Sequence, residues 1–167
     1  MQARIHRTLT LAATTAALAL AAAFAQAADT QPEPPAARAP AADKLAQART
    51  LIAARNWSGA VDELRRVNDT GSADWNNLMG FTLRKGKTPD LAGSEKYYDA
   101  ALRIDPHHRN TLEYSGELFL MKGDLPKAQA RLATLQAECG QCEQSTQLKA
   151  AIADYQAHGN KVVSTGW

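Results

Sequence analysis

Residues 56–135 read NWSGAVDELRRVNDTGSADWNNLMGFTLRKGKTPDLAGSEKYYDAALRIDPHHRNTLEYSGELFLMKGDLPKAQARLATL, and a step of 34 runs through them. Trp57, Leu91 and Leu125 are 34 apart, as are Ala60, Ser94 and Ala128; Leu64, Tyr98 and Leu132; and Val67, Ala101 and Leu135. A polar residue opens each copy at the same step: Asn56, Asp90 and Asp124. A period of this length means one supersecondary unit used several times, each copy burying its apolar side against the next.

The apolar spacing inside each copy is helical, and nothing in the chain alternates like a strand. A first helix begins near Asp43, the expected N-cap, with Leu45, Ala48, Leu51 and Ile52 on one stripe. A second follows Asn56 and Trp57 and carries Ala60, Val61, Leu64 and Val67. The turn formers of residues 68–72 interrupt the pattern. Trp75, Leu78, Met79 and Thr82 mark a third helix, and Leu91, Ser94, Tyr98, Ala101 and Leu102 a fourth, which stops at Asp105-Pro106. A fifth carries Leu112, Ser115, Gly116 and Phe119. The sixth carries Leu125, Ala128, Leu132 and Leu135, with Pro126 harmless in its first turn. A seventh, with Leu148, Ala151, Ile152 and Tyr155, has no partner and is expected to cap the stack. The fold class is all-α: a solenoid of about three helical hairpins plus a C-terminal capping helix.

With 167 residues there is room for one such domain. Residues 1–27 read as a secretory signal: Arg4, His6 and Arg7, an uncharged run from Leu9 to Phe24, then Ala25-Gln26-Ala27 as a cleavage site. The mature chain is expected to start at Ala28. No cysteine stands near residue 27 to take a lipid, and no paired arginine marks the twin-arginine route. Residues 28–42, with Pro32, Pro34, Pro35 and Pro40, read as a semi-rigid linker. The repeat domain spans 43–157, and 158–167 is a frayed tail. Periplasmic or secreted localisation follows, with no stable membrane span after cleavage. Of the 19 Lys and Arg, Arg4 and Arg7 leave with the signal, so 17 basic side chains face 17 acidic ones. A neutral mature chain carries no electrostatic footprint for nucleic acid.

From Trp75-Asn76-Asn77-Leu78 through Ala101-Leu102-Arg103-Ile104-Asp105-Pro106 the chain resembles the consensus of a tetratricopeptide repeat (TPR). Small residues at the helix crossings agree: Ala48 with Ala60 and Gly116 with Ala128, each 12 apart. In the middle copy Met79 and Ser94 are 15 apart, matching three extra residues in the joint 85–90. The resemblance covers about residues 43–138, and it implies TPR-like hairpins whose first helices line a concave groove for a peptide or protein partner. Carried over position by position, the groove residues are Arg49, then Asn76, Asn77 and Arg84, then Asn110, Glu113, Tyr114 and Glu117. Asn supplies donor and acceptor together, and Tyr supplies rigid contact area. Arg49 and Arg84 set against Glu113 and Glu117 suit a partner of mixed charge. The family's carboxylate clamp, a basic set spread over two adjacent repeats, is absent.

Cys139 and Cys142, three apart between helices six and seven, suit a disulfide that staples the cap to the last repeat. The alternatives are a thiol-exchange centre and a reduced pair. Redox motifs of this spacing follow a strand and open a helix, whereas here a helix precedes. Zinc would need about four ligands, so no metal site is expected. His107 and His108 diverge by about 100° on a helix and are expected to be loop-solvated. No phosphate loop, His-Glu-x-x-His or Gly-x-Ser-x-Gly is present, and no cofactor or enzymatic activity is expected. The leading expectation is an exported, non-enzymatic adaptor. The alternatives are a thiol-redox accessory protein working through Cys139 and Cys142, and a structural subunit of an envelope assembly.

Overall fold

The computed structural model describes residues 43–163. The signal segment, the Pro/Ala linker up to residue 42, and residues 164–167 of the tail lie outside them. The described chain forms α1 (Ala46–Ala53), α2 (Trp57–Val67), α3 (Ala73–Lys85), α4 (Leu91–Ile104), α5 (Arg109–Met121), α6 (Leu125–Cys139) and α7 (Glu143–Ala157), with no strand among the described residues.

Short polar side chains set most of the starts. Asn56, Ser72, Asp90 and Asp124 accept from the amides of Gly59, Trp75, Gly93 and Lys127, satisfying donors that the first helical turn leaves open. The recurring polar opener of the 34-residue step is therefore a repeated N-cap. α1 starts later than the expected Asp43, because that carboxylate takes the Leu45 amide at 2.9 Å and the Arg49 guanidinium at 2.5 Å, holding the approach to the helix open. α2 ends at Asn68, whose left-handed backbone (φ 49°) is tolerated by this residue type.

Packing is sequential. α1 with α2, α3 with α4 and α5 with α6 are hairpins, and each hairpin's second helix also lies against the next first helix. α1 touches α3, α3 touches α5, and α5 touches α7, whereas α2, α4 and α6 do not meet one another among the described residues. The first helices therefore make an inner row and the second helices an outer row: an all-α solenoid with α7 closing it.

Two apolar clusters hold it. Leu45, Ala48, Leu64, Trp75 and Met79 form one; Leu112, Phe119, Leu120, Ala128, Leu135, Leu148, Ala151, Ile152 and Tyr155 form the other. Gly116 lets α7 approach, since a Cβ there would stand 2.5 Å from Leu148 Cδ2. In the middle hairpin the close crossing belongs to Gly80, not Met79: a Cβ on Gly80 would stand 2.6 Å from the Tyr98 ring and 3.1 Å from the Ser94 carbonyl. Met79 points into the first cluster instead. Cys139 ends α6 and Cys142 is the N-cap of α7, joined by a disulfide with Cα atoms 5.6 Å apart. Of the expected tail, Val162 packs on the second cluster.

Candidate functional site

The eight groove candidates lie on α1, α3 and α5 of the inner row, and five of them, Asn76, Asn77, Arg84, Glu113 and Glu117, are buried. The inner row is thus an internal polar network more than a wetted face. Asn76 donates to the carbonyls of Thr70 and Ser72, both at 2.8 Å, and fixes the turn into α3. Asn77 accepts from the Thr111 hydroxyl at 3.1 Å. Asn110 is exposed and accepts from Gln144 at 2.9 Å. Arg49, also exposed, reaches Asp43 at 2.5 Å and Asp74 at 3.4 Å.

Three of these links share a spacing. Asp74 with His108, Asn77 with Thr111, and Asn110 with Gln144 are each 34 residues apart, so equivalent positions of successive repeats touch as rungs. His108 is the busiest of them. Its Nδ1 accepts the Thr111 amide as the N-cap of α5, while Nε2 lies 3.0 Å from Asp74. The expected loop solvation holds for His107, which stays exposed beside Glu138 at 2.6 Å, and not for His108. Asp74, Thr111 and Gln144 escaped the sequence reading, although each stands one 34-residue step from a residue it named.

The densest group surrounds Arg84. Its Nη2 donates to Glu117 Oε2 at 2.5 Å, and its Cζ lies 5.7 Å and 5.8 Å from the centres of the Phe81 and Tyr114 rings. Those rings meet at 4.8 Å, and Trp57 extends the row by an edge contact with Phe81 at 6.2 Å. Burial works against the charge on Arg84, but Tyr98 and Glu117 outweigh it and its pKa is raised. Burial raises the Tyr98 pKa as well, against the pull of Arg84 beside it.

Glu113 sits one turn before Glu117, is 3 % exposed, and among the described residues makes no hydrogen bond or ion pair. Burial first, then the charges of Glu117 and Glu143, push its pKa up to about 8, against the pull of Arg84. Tyr114 beside it is half-buried, and its phenol is pushed up to about 12, by burial and then by Glu113 and Glu117. The network therefore joins one acid bonded to Arg84, a second acid that shares the same cation without a direct bond, and a partly open ring.

Among the described residues no group of three His, Cys, Asp or Glu gathers to hold a metal ion, and no helix is long and apolar enough to cross a membrane. The chain matches no protein-family model, no curated protein and no solved structure.

Proposed function

We propose that this chain is an exported, non-enzymatic adaptor of the tetratricopeptide type that holds a peptide or protein along its inner row. Glu113 carries the reading. Its carboxyl sits in a mostly buried site with no hydrogen-bond or ion-pair partner among the described residues, so burial disfavours its charged form until a cation is supplied. Held largely protonated at neutral pH, Glu113 would ionise against a lysine, arginine or terminal amine of the partner, with Tyr114 giving ring contact beside it. Arg49 and Asn110, exposed on the same row, extend the contact along the neighbouring repeats. Export is supported by the charged, apolar and small-residue order of residues 1–27 and by the Cys139–Cys142 disulfide, which suits an oxidising compartment.

The test is affinity capture from an envelope extract with the mature chain, beside Glu113→Gln and Tyr114→Ala. Both variants should lose the captured species while keeping the circular dichroism of the wild type. Equal retention by both variants would overturn the reading. Asn77→Ala is no clean probe, because it breaks the rung to Thr111.

A further inference from the structure

The outer row leaves a gap where α2 and α4 fail to meet, and the first turn of α3 floors it. The resulting cavity, about 610 Å³, is lined by Arg65 from α2, Lys96, Tyr97 and Arg103 from α4, and Trp75 and Asn76 from α3. No carboxylate is among its lining residues, although the mature chain as a whole carries as many acids as bases. Arg65 has only a loose, exposed pairing with Asp62 at 3.7 Å, and Lys96 and Arg103 have no ion-pair partner among the described residues. Three cations thus line one concavity, and among the described residues only Arg65 has an ion-pair partner.

The floor adds shape and a hydrogen-bond preference. Tyr97 is half-buried and braced edge-on against Trp75, with ring centres 5.8 Å apart. The Trp75 indole spends its N–H on the Leu64 carbonyl at 2.7 Å. Asn76 spends both amide hydrogens on Thr70 and Ser72, which leaves its Oδ1 as an acceptor with no partner among the described residues. A ligand matched to these groups has a flat ring, a donor on that ring, and more than one negative charge. The volume lies within the roughly 300–1,000 Å³ of small-molecule sites. An acidic peptide fits less well, because it supplies carboxylates for the cations but no flat ring with a donor for Tyr97 and Asn76.

We infer that the cleft between α2 and α4 binds a ring-bearing, multiply charged organic phosphate, its phosphates among Arg65, Lys96 and Arg103 and its ring against Tyr97 with a donor on Asn76 Oδ1. This site lies on the outer row and stands apart from the partner-binding reading of the inner one.

Calorimetric titration of the mature chain at low salt tests it with four probes: ADP, inorganic pyrophosphate, adenosine and hexaglutamate. ADP should bind, and pyrophosphate and adenosine should each bind more weakly. The exposed double variant Arg65→Gln/Arg103→Gln should weaken ADP by about tenfold or more, the size of losing charge-assisted hydrogen bonds, with helical content unchanged. Tyr97→Leu should weaken ADP while leaving pyrophosphate unaffected. Absence of ADP binding at millimolar concentration, equal binding by wild type and double variant, or pyrophosphate binding as tightly as ADP would each overturn the proposal. Hexaglutamate binding where ADP does not would overturn it in favour of an acidic peptide.

Discussion

Arg84, Glu117 and Glu113 form a two-acid, one-base set inside the inner row, and the unequal count has measurable consequences. Glu113 has an ordinary value of 4.5 in the unfolded chain and about 8 in the folded one. Between those values the native state binds the extra proton, so stability falls as pH rises through that window and levels off above it. Glu113→Gln keeps the shape and removes the titration. It should therefore match the wild type near pH 4.5 and exceed it at pH 8.5 by about 5 °C in melting temperature, the scale of ~1 kcal/mol in a domain this small. Thermal melts at the two pH values check this; an equal gap at both would show that Glu113 does not titrate in the window. Arg84 has the larger stake. Arg84→Met leaves two buried acids without a counter-charge and should cost about 3 kcal/mol or more, whereas Arg84→Met/Glu117→Leu should recover most of that in urea melts. In the sequence these residues were legible as candidates for one groove, but not as each other's partners. Arg84 and Glu117 are 33 apart, one short of the period, and the carried-over groove pattern placed them toward a ligand when the neighbouring repeat already occupies that direction.

At the scale of the element, apolar spacing and the polar openers Asn56, Asp90 and Asp124 were enough to place the helices, because both signals are local. What failed was the crossing of α3 and α4. The longer joint of residues 85–90 shifts the register, so that Gly80, next to the expected Met79, meets Tyr98 and the Ser94 carbonyl. Which of two adjacent residues faces a neighbour depends on helix rotation, and that is a tertiary quantity. The Cys139–Cys142 bridge was legible from spacing and a turn, and it joins the end of α6 to the start of α7. Its loop is short, so Cys139→Ser/Cys142→Ser should lower stability by only about 1–2 kcal/mol while leaving partner capture intact. Urea unfolding under non-reducing conditions measures the first, and loss of capture in the double variant would show that the pair does more than staple.

For the whole molecule, the 34-residue step is both a sequence pattern and a set of contacts, since Asp74–His108, Asn77–Thr111 and Asn110–Gln144 join equivalent positions of neighbouring repeats. A stack built this way has no long-range closure, and its ends must be covered. α7 covers one end: Leu148, Ala151, Ile152 and Tyr155 are all in the larger apolar cluster, and Gln144 supplies the last rung. Each large side chain among them contributes about 1.5–3 kcal/mol through burial. Their joint loss is of the same order as the ~5–15 kcal/mol that holds an ordinary domain. A chain of residues 28–141, with Cys139→Ser to avoid a free thiol, should therefore bind a hydrophobic dye and unfold without a sharp transition, even though α1 to α5 keep their own sequences. The Cys139→Ser/Cys142→Ser chain at full length separates loss of the bridge from loss of the helix. If the truncated chain melts as sharply and as high as that control, α7 is an appendage and the six preceding helices carry a closed core without it.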